Sequence, residues 1–93
     1  MDKYEAAVSR GEEAARLLAS PIFQQAFDDT RKVLMETLAN LPDLRSEEAH
    51  DLHRMVKCLA KIEKVIKTHV DTGKLAHKEL ESRRNILGMR RRA

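Results

Sequence analysis

Leu52, Leu59, Ile66, Gly73, Leu80 and Leu87 recur every seven residues, and no other feature narrows the possible folds of this chain so far. Seven residues make two helical turns, so such a series lines one side of an α-helix. Met55, Ile62 and Ala76 follow members of the series by three residues and supply the second seam position, while Val56 and Val70 widen the stripe. A stripe of that width faces a core, so the rest of the chain is expected to wrap around this helix.

Two shorter helices are expected before it. Tyr4, Val8, Gly11, Ala15 and Leu18 step by fours and threes, which marks an amphipathic helix near 4–19. Ser20-Pro21 reads as a restart, with the serine hydroxyl as N-cap and proline at the first helical position, where its missing N–H costs nothing. The stripe resumes at Ile22, Phe23, Phe27, Val33, Leu34, Leu38 and Leu41, and Pro42 ends it because a residue before proline is pushed out of the helical region. Ser46 is the expected cap of the third helix, with Glu47, Glu48 and Asp51 on its first turns, where the helix dipole favours negative charge. That helix is expected over 47–84, passing through Gly73 because the heptad phase is unchanged there; the alternative is a C-terminal Gly cap at Asp71-Thr72-Gly73-Lys74 followed by a fourth helix, and Gly88 and the arginines after it are expected to fray.

The segments 4–41 and 47–84 are equal in length, about 57 Å each as helix. The expected fold is therefore all-α: a long antiparallel helical hairpin, with helices 1 and 2 broken at Ser20-Pro21 against one long third helix. The alternative is a three-helix bundle with helix 1 folded back at Pro21. In the hairpin Leu34 falls near Met55, Phe27 near Ile62, and Gly11, Ala14 and Ala15 face Gly73, Ala76 and His77, so that small residues meet small residues. Residues 1–87 form a single helical domain in this reading, and 88–93 a flexible basic tail. The core seam comprises Phe23, Phe27, Leu34, Leu52, Val56, Leu59, Ile62, Ile66 and Leu80. Its stripe is wider than one partner helix covers, which predicts self-association as a dimer with a four-helix core.

Composition excludes several function classes. Apolar residues make up 42% and charged residues 35% of the chain, which suits an ordered helical protein rather than a disordered one. Tyr4, Phe23 and Phe27 are the aromatics, too few to stack on single-stranded nucleic acid. One cysteine, Cys58, permits neither an internal disulfide nor a Cys-based zinc site, and a reducing intracellular setting is expected. No apolar run approaches the ~20 residues that span a bilayer, so no membrane role is expected.

Charge supplies the candidate nucleic-acid contacts. Arg54, Lys57, Lys61 and Lys64 share the face of helix 3 opposite Leu52 and Leu59, with His50, His53 and Lys67 beside them. Arg83, Arg84, Arg90, Arg91 and Arg92 crowd the C-terminus without an acid among them, leaving residues 1–82 at −2 out of a total of +3. Such clusters neutralise phosphates; a solvated helix face and a solubilising tail are the plainer readings. His50 and His53 stand one turn apart without a third ligand placed by spacing, so no metal is expected. His69 and His77, on or beside the seam, are expected as hydrogen-bonded core-edge histidines or as register-specifying polar residues. Neither a nucleophile elbow nor a phosphate loop is present, so no catalytic residue and no cofactor site is assigned, and the chain reads as a non-enzyme.

Three stretches carry a resemblance: Gly11-Glu12-Glu13-Ala14-Ala15-Arg16-Leu17-Leu18, Pro21-Ile22-Phe23-Gln24-Gln25-Ala26-Phe27 and Thr72-Gly73-Lys74-Leu75-Ala76. Together they resemble short helical proteins of tailed bacteriophages and prophages, mostly without an assigned role. The resemblance implies a protein–protein interaction or assembly module in virion assembly, packaging or host modulation, located in the host cytoplasm or the virion. Its partners would be a second copy and another phage or host protein. The competing expectation is a nucleic-acid-binding accessory that uses the basic helix face and the arginine tail.

Overall fold

The computed structural model describes the backbone of residues 2–92 and the side chains of residues 2–88. It is all-α, with α1 (Lys3–Ala19), α2 (Pro21–Ala39) and a long α3 (Glu47–Arg92), and no strand among the described residues.

Local chemistry sets each boundary. Asp2 opens α1, its carboxylate accepting from the Tyr4 N–H at 3.0 Å. Ser20 is extended at φ −69° and ψ 119°, and its Oγ accepts from the Phe23 N–H at 3.5 Å, with Pro21 in the first turn of α2. A helix end leaves carbonyls without donors, and the Gln24 side-chain amide answers one of them by donating to the Leu18 carbonyl at 2.6 Å. α2 closes on Asn40, whose N–H donates to the Glu36 carbonyl at 3.1 Å, two residues before Pro42. In the connection, Asp43 Oδ1 accepts from the Arg45 N–H at 2.9 Å, and Ser46 Oγ then caps α3 through the Ala49 N–H at 3.2 Å.

α3 runs past its expected end near Arg84. No glycine has positive φ, so Gly73 and Gly88 are both ordinary helical residues. A helical glycine costs only about 1 kcal/mol, and Leu87, Met89 and the arginines after it are good helix formers. The expected fraying from Gly88 onward is therefore replaced by helix to Arg92.

The chain divides into two compact units, Leu18–Val65 and Met1–Leu17 with Ile66–Ala93. Each is an antiparallel helix pair. One unit pairs α2 with the N-terminal half of α3, and the other pairs α1 with its C-terminal half.

In the Leu18–Val65 unit, α2 packs on the N-terminal half of α3. Leu38, Ala49 and Leu52 are buried, with Leu34 and Leu41 packed against them. Farther along, Arg31 of α2 bridges to Glu63 of α3, and also pairs with Asp28 at 3.3 Å. Phe23 and Phe27, half-buried, stack tilted with ring centroids 4.7 Å apart.

In the other unit, α1 packs on the C-terminal half of α3, and its centre is Gly11 against Gly73. A Cβ built on either glycine would stand 2.9 Å from the other's Cα. The helix backbones are thus in contact, with Ala14 and Ala76 buried alongside. Small residues do meet small residues here. Nearer the start of α1, the Arg83 guanidinium lies over the Tyr4 ring at 4.7 Å and also pairs with Glu79 at 3.4 Å.

The seam needs one correction. Its heptad positions behave as expected through Leu80: Leu52 and Gly73 are buried and Leu59, Ile66 and Leu80 half-buried. The second seam position, however, comes four residues after them, at the half-buried Val56, Glu63 and Val70, and not at Met55 and Ile62, which are 51% and 48% exposed. Ile62 therefore belongs to the flank of the seam, and Ala76 is the one +3 residue that is buried. Leu87, the last heptad member, is exposed.

Candidate association surface

Within the Leu18–Val65 unit the two sides differ in character. On one side, α3 presents Met55, Cys58, Ile62 and Val65, all exposed. They follow one another by three, four and three residues, so they form a second apolar line about a quarter-turn from the seam that holds α2. Between this line and α2 runs a groove of about 520 Å³, walled by Thr30 and Leu34 from α2 and Met55, Cys58, Leu59 and Ile62 from α3. On the α2 side Ala26, Thr30, Val33 and Thr37 continue the wall at helical spacing, all exposed.

Both threonines are prepared for an apolar contact. Thr30 Oγ1 donates to the Ala26 carbonyl and Thr37 Oγ1 to the Val33 carbonyl, each at 2.7 Å. Their hydroxyls are thereby satisfied within the helix, and the methyl groups remain for packing. The charged residues that line the groove, Asp51 and Arg54, pair with each other at 2.7 Å. The surface is thus apolar and electrically balanced.

The seam residues proposed for self-association divide accordingly. Phe23, Phe27, Leu34, Val56 and Leu59 are half-buried and Leu52 is buried within this unit, whereas Ile62 stands on the open flank. Ile66 and Leu80, half-buried, belong to the other unit.

The candidate nucleic-acid residues with described side chains fall four in the Leu18–Val65 unit and two in the other. Arg54, Lys57, Lys61 and Lys64 lie exposed on the N-terminal half of α3, but Arg54 is engaged with Asp51. Arg83 and Arg84 belong to the other unit, and Arg83 is held between Tyr4 and Glu79. The side chains of Arg90, Arg91 and Arg92 lie outside the described residues. His50 and His53 are exposed, and no cluster of three metal-ligating side chains occurs among the described residues. His69 and His77 are exposed rather than tucked at the core edge; His77 Nε2 pairs with Glu81 at 3.1 Å. Among the described residues, no helix is long and apolar enough to cross a membrane.

Sequence reasoning missed the Arg31–Glu63 bridge, although its signal was present. Arg31 stands four residues after Phe27 and three before Leu34, and Glu63 four after Leu59, so both occupy core-facing places. With side chains 36% and 30% exposed, the pair is partly solvated and stabilises only modestly. Glu63→Gln is expected to cost no more than about 1 kcal/mol in urea unfolding; a loss several times larger would show that the bridge, and not the apolar seam, holds α2 on α3.

No protein-family model, curated protein or solved structure matches this chain.

Proposed function

We propose that the chain is a non-enzymatic helical association module that works as a homodimer. Exposed apolar side chains carry this reading: Ile22, Val33, Met35, Leu44, Met55, Ile62, Val65 and Leu75 are each about half exposed or more. A helix pair covers one seam of each helix and leaves such flanks to a partner.

Light scattering against concentration tests the reading. A mass twice 10.7 kDa at tens of micromolar, falling on dilution, is the expected result; a monomer mass throughout would overturn it. A role in virion assembly, packaging or host modulation is supported by the phage resemblance, as is a further phage or host partner.

A second reading, a nucleic-acid accessory, is supported by the exposed Lys57, Lys61 and Lys67 on α3. Its mark would be binding that weakens steeply with salt and is lost on truncation after Ser82, whereas association through apolar faces survives salt.

A further inference from the structure

We infer that Lys57, Lys61 and Lys64, on the face of α3 turned away from α2, form a contact for the phosphate backbone of double-stranded nucleic acid. The inference goes beyond self-association and rests on the nucleic-acid reading, to which it adds the face and the form of the ligand.

Charge is segregated within the Leu18–Val65 unit. His50, His53, Arg54, Lys57, Lys61 and Lys64 are all exposed and fall within an arc of about 100° on α3. The acids of the same stretch lie off it: Asp51 pairs with Arg54 from beside the arc, and Glu63 stands on the seam, bridged to Arg31. Among the described residues Lys57 and Lys61 have no ion-pair partner.

Helix stability does not account for this pattern. Residues three and four apart are neighbours on a helix, and like charges at that spacing destabilise it. Arg54 and Lys57, Lys57 and Lys61, and Lys61 and Lys64 are such pairs in succession. Elsewhere the same chain matches acid with base at this spacing, in Asp28 with Arg31, His77 with Glu81 and Glu79 with Arg83. A face that served solubility alone would be more stable if built in that way. A polyanion laid along the lysines turns their mutual repulsion into shared attraction.

Residue type selects the polyanion. Protein interfaces centre on an apolar core depleted of charge, and a helix on a lipid surface buries apolar side chains; between His50 and Lys64 this arc carries none. Single strands are held by stacking on aromatic rings, and the arc has none of these either. A line of lysines matches a uniform line of phosphates instead. Lys57 to Lys64 spans about 10 Å of helix, a length over which a duplex carries about six charges.

Fluorescence anisotropy of a labelled duplex of about 20 base pairs, titrated with the full chain from about 50 to 200 mM salt, tests the assignment. Lys57→Gln and Lys61→Gln together should make the slope of log affinity against log salt shallower by about two, with binding weaker by roughly tenfold or more at the lower salt. The double variant should melt no lower than the wild type, since like-charge neighbours are removed. Lys32→Gln with Arg45→Gln, both exposed in the same unit and off the arc, removes the same charge and should leave the slope unchanged. A Lys57→Gln/Lys61→Gln chain with the wild-type slope, or a control pair that loses as much, would overturn the assigned face and leave the nucleic-acid reading standing. A single strand of the same sequence bound as tightly would overturn the choice of a duplex. No binding of the wild type to either nucleic acid at the lower salt, including where vesicles of anionic phospholipid are bound instead, would overturn both the inference and the reading it rests on.

Discussion

Gly73→Leu should drive α1 off the C-terminal half of α3, with a loss of roughly 2–4 kcal/mol in that pair's stability. A Cβ at Gly73 would stand 2.9 Å from the Gly11 Cα and 3.1 Å from the Ala7 carbonyl oxygen. Both are backbone atoms of a regular helix and cannot move without moving the helix. The remaining leucine atoms have nowhere to go unless the axes separate, and separation also strips Ala14 and Ala76 of their contacts. Gly11→Leu should behave alike, for the mirror-image reason. Gly88 provides the control, since a Cβ there meets nothing within 4 Å; Gly88→Ala should gain about 0.5–1 kcal/mol from helix propensity. Circular dichroism melts of the three variants are the measurement, and a Gly73→Leu protein that melts with the wild type would show that the backbones are not in contact.

The second large effect is expected at Leu52, the 8% exposed residue packed with Leu38 and Ala49. Leu52→Asp removes apolar burial and places an unpaired carboxylate between α2 and α3, at a cost of roughly 3–5 kcal/mol. A small domain's whole stability is only about 5–15 kcal/mol, and among the described residues no large side chain here is fully buried. The Leu18–Val65 unit should therefore lose a large share of its stability, seen as a helical circular-dichroism melt displaced far below that of the wild type. Leu75→Asp is the matched control: Leu75 is 68% exposed, and the same change there should stay within about 0.5 kcal/mol. Equal losses at the two positions would mean that the wrong face of α3 has been assigned to the core.

The charged residues show how far residue type alone can mislead. Arg83 belongs by sequence to a C-terminal cluster free for phosphates, but α1 brings Tyr4 beneath it and Glu79 lies one turn away on its own helix. Arg31 and Glu63 look like surface residues in composition and sit half-buried on facing helices. In each case the partner comes from a distant part of the chain or depends on an angular position that residue type does not reveal.

What the sequence determined is what depends on near neighbours. Ser20-Pro21 and Ser46 place helix starts because a hydroxyl three residues from an N–H can cap it, and Pro42 forces a stop. The heptad of Leu52 to Leu80 fixes which side of α3 faces a partner, and Gly11 and Gly73 allow close approach wherever they meet. Tertiary structure decided on which flank of that heptad the seam is completed. A residue four places on lies about 40° to one side of a heptad position and one three places on about 60° to the other, so Val56 and Val70 compete with Met55 and Ile62 on nearly equal terms. The packing of α2 beside Val56 and of α1 on the half of α3 that carries Val70 settles the contest in favour of the first set. That choice leaves Met55, Cys58, Ile62 and Val65 in water, because one helix packed on another can cover only one flank.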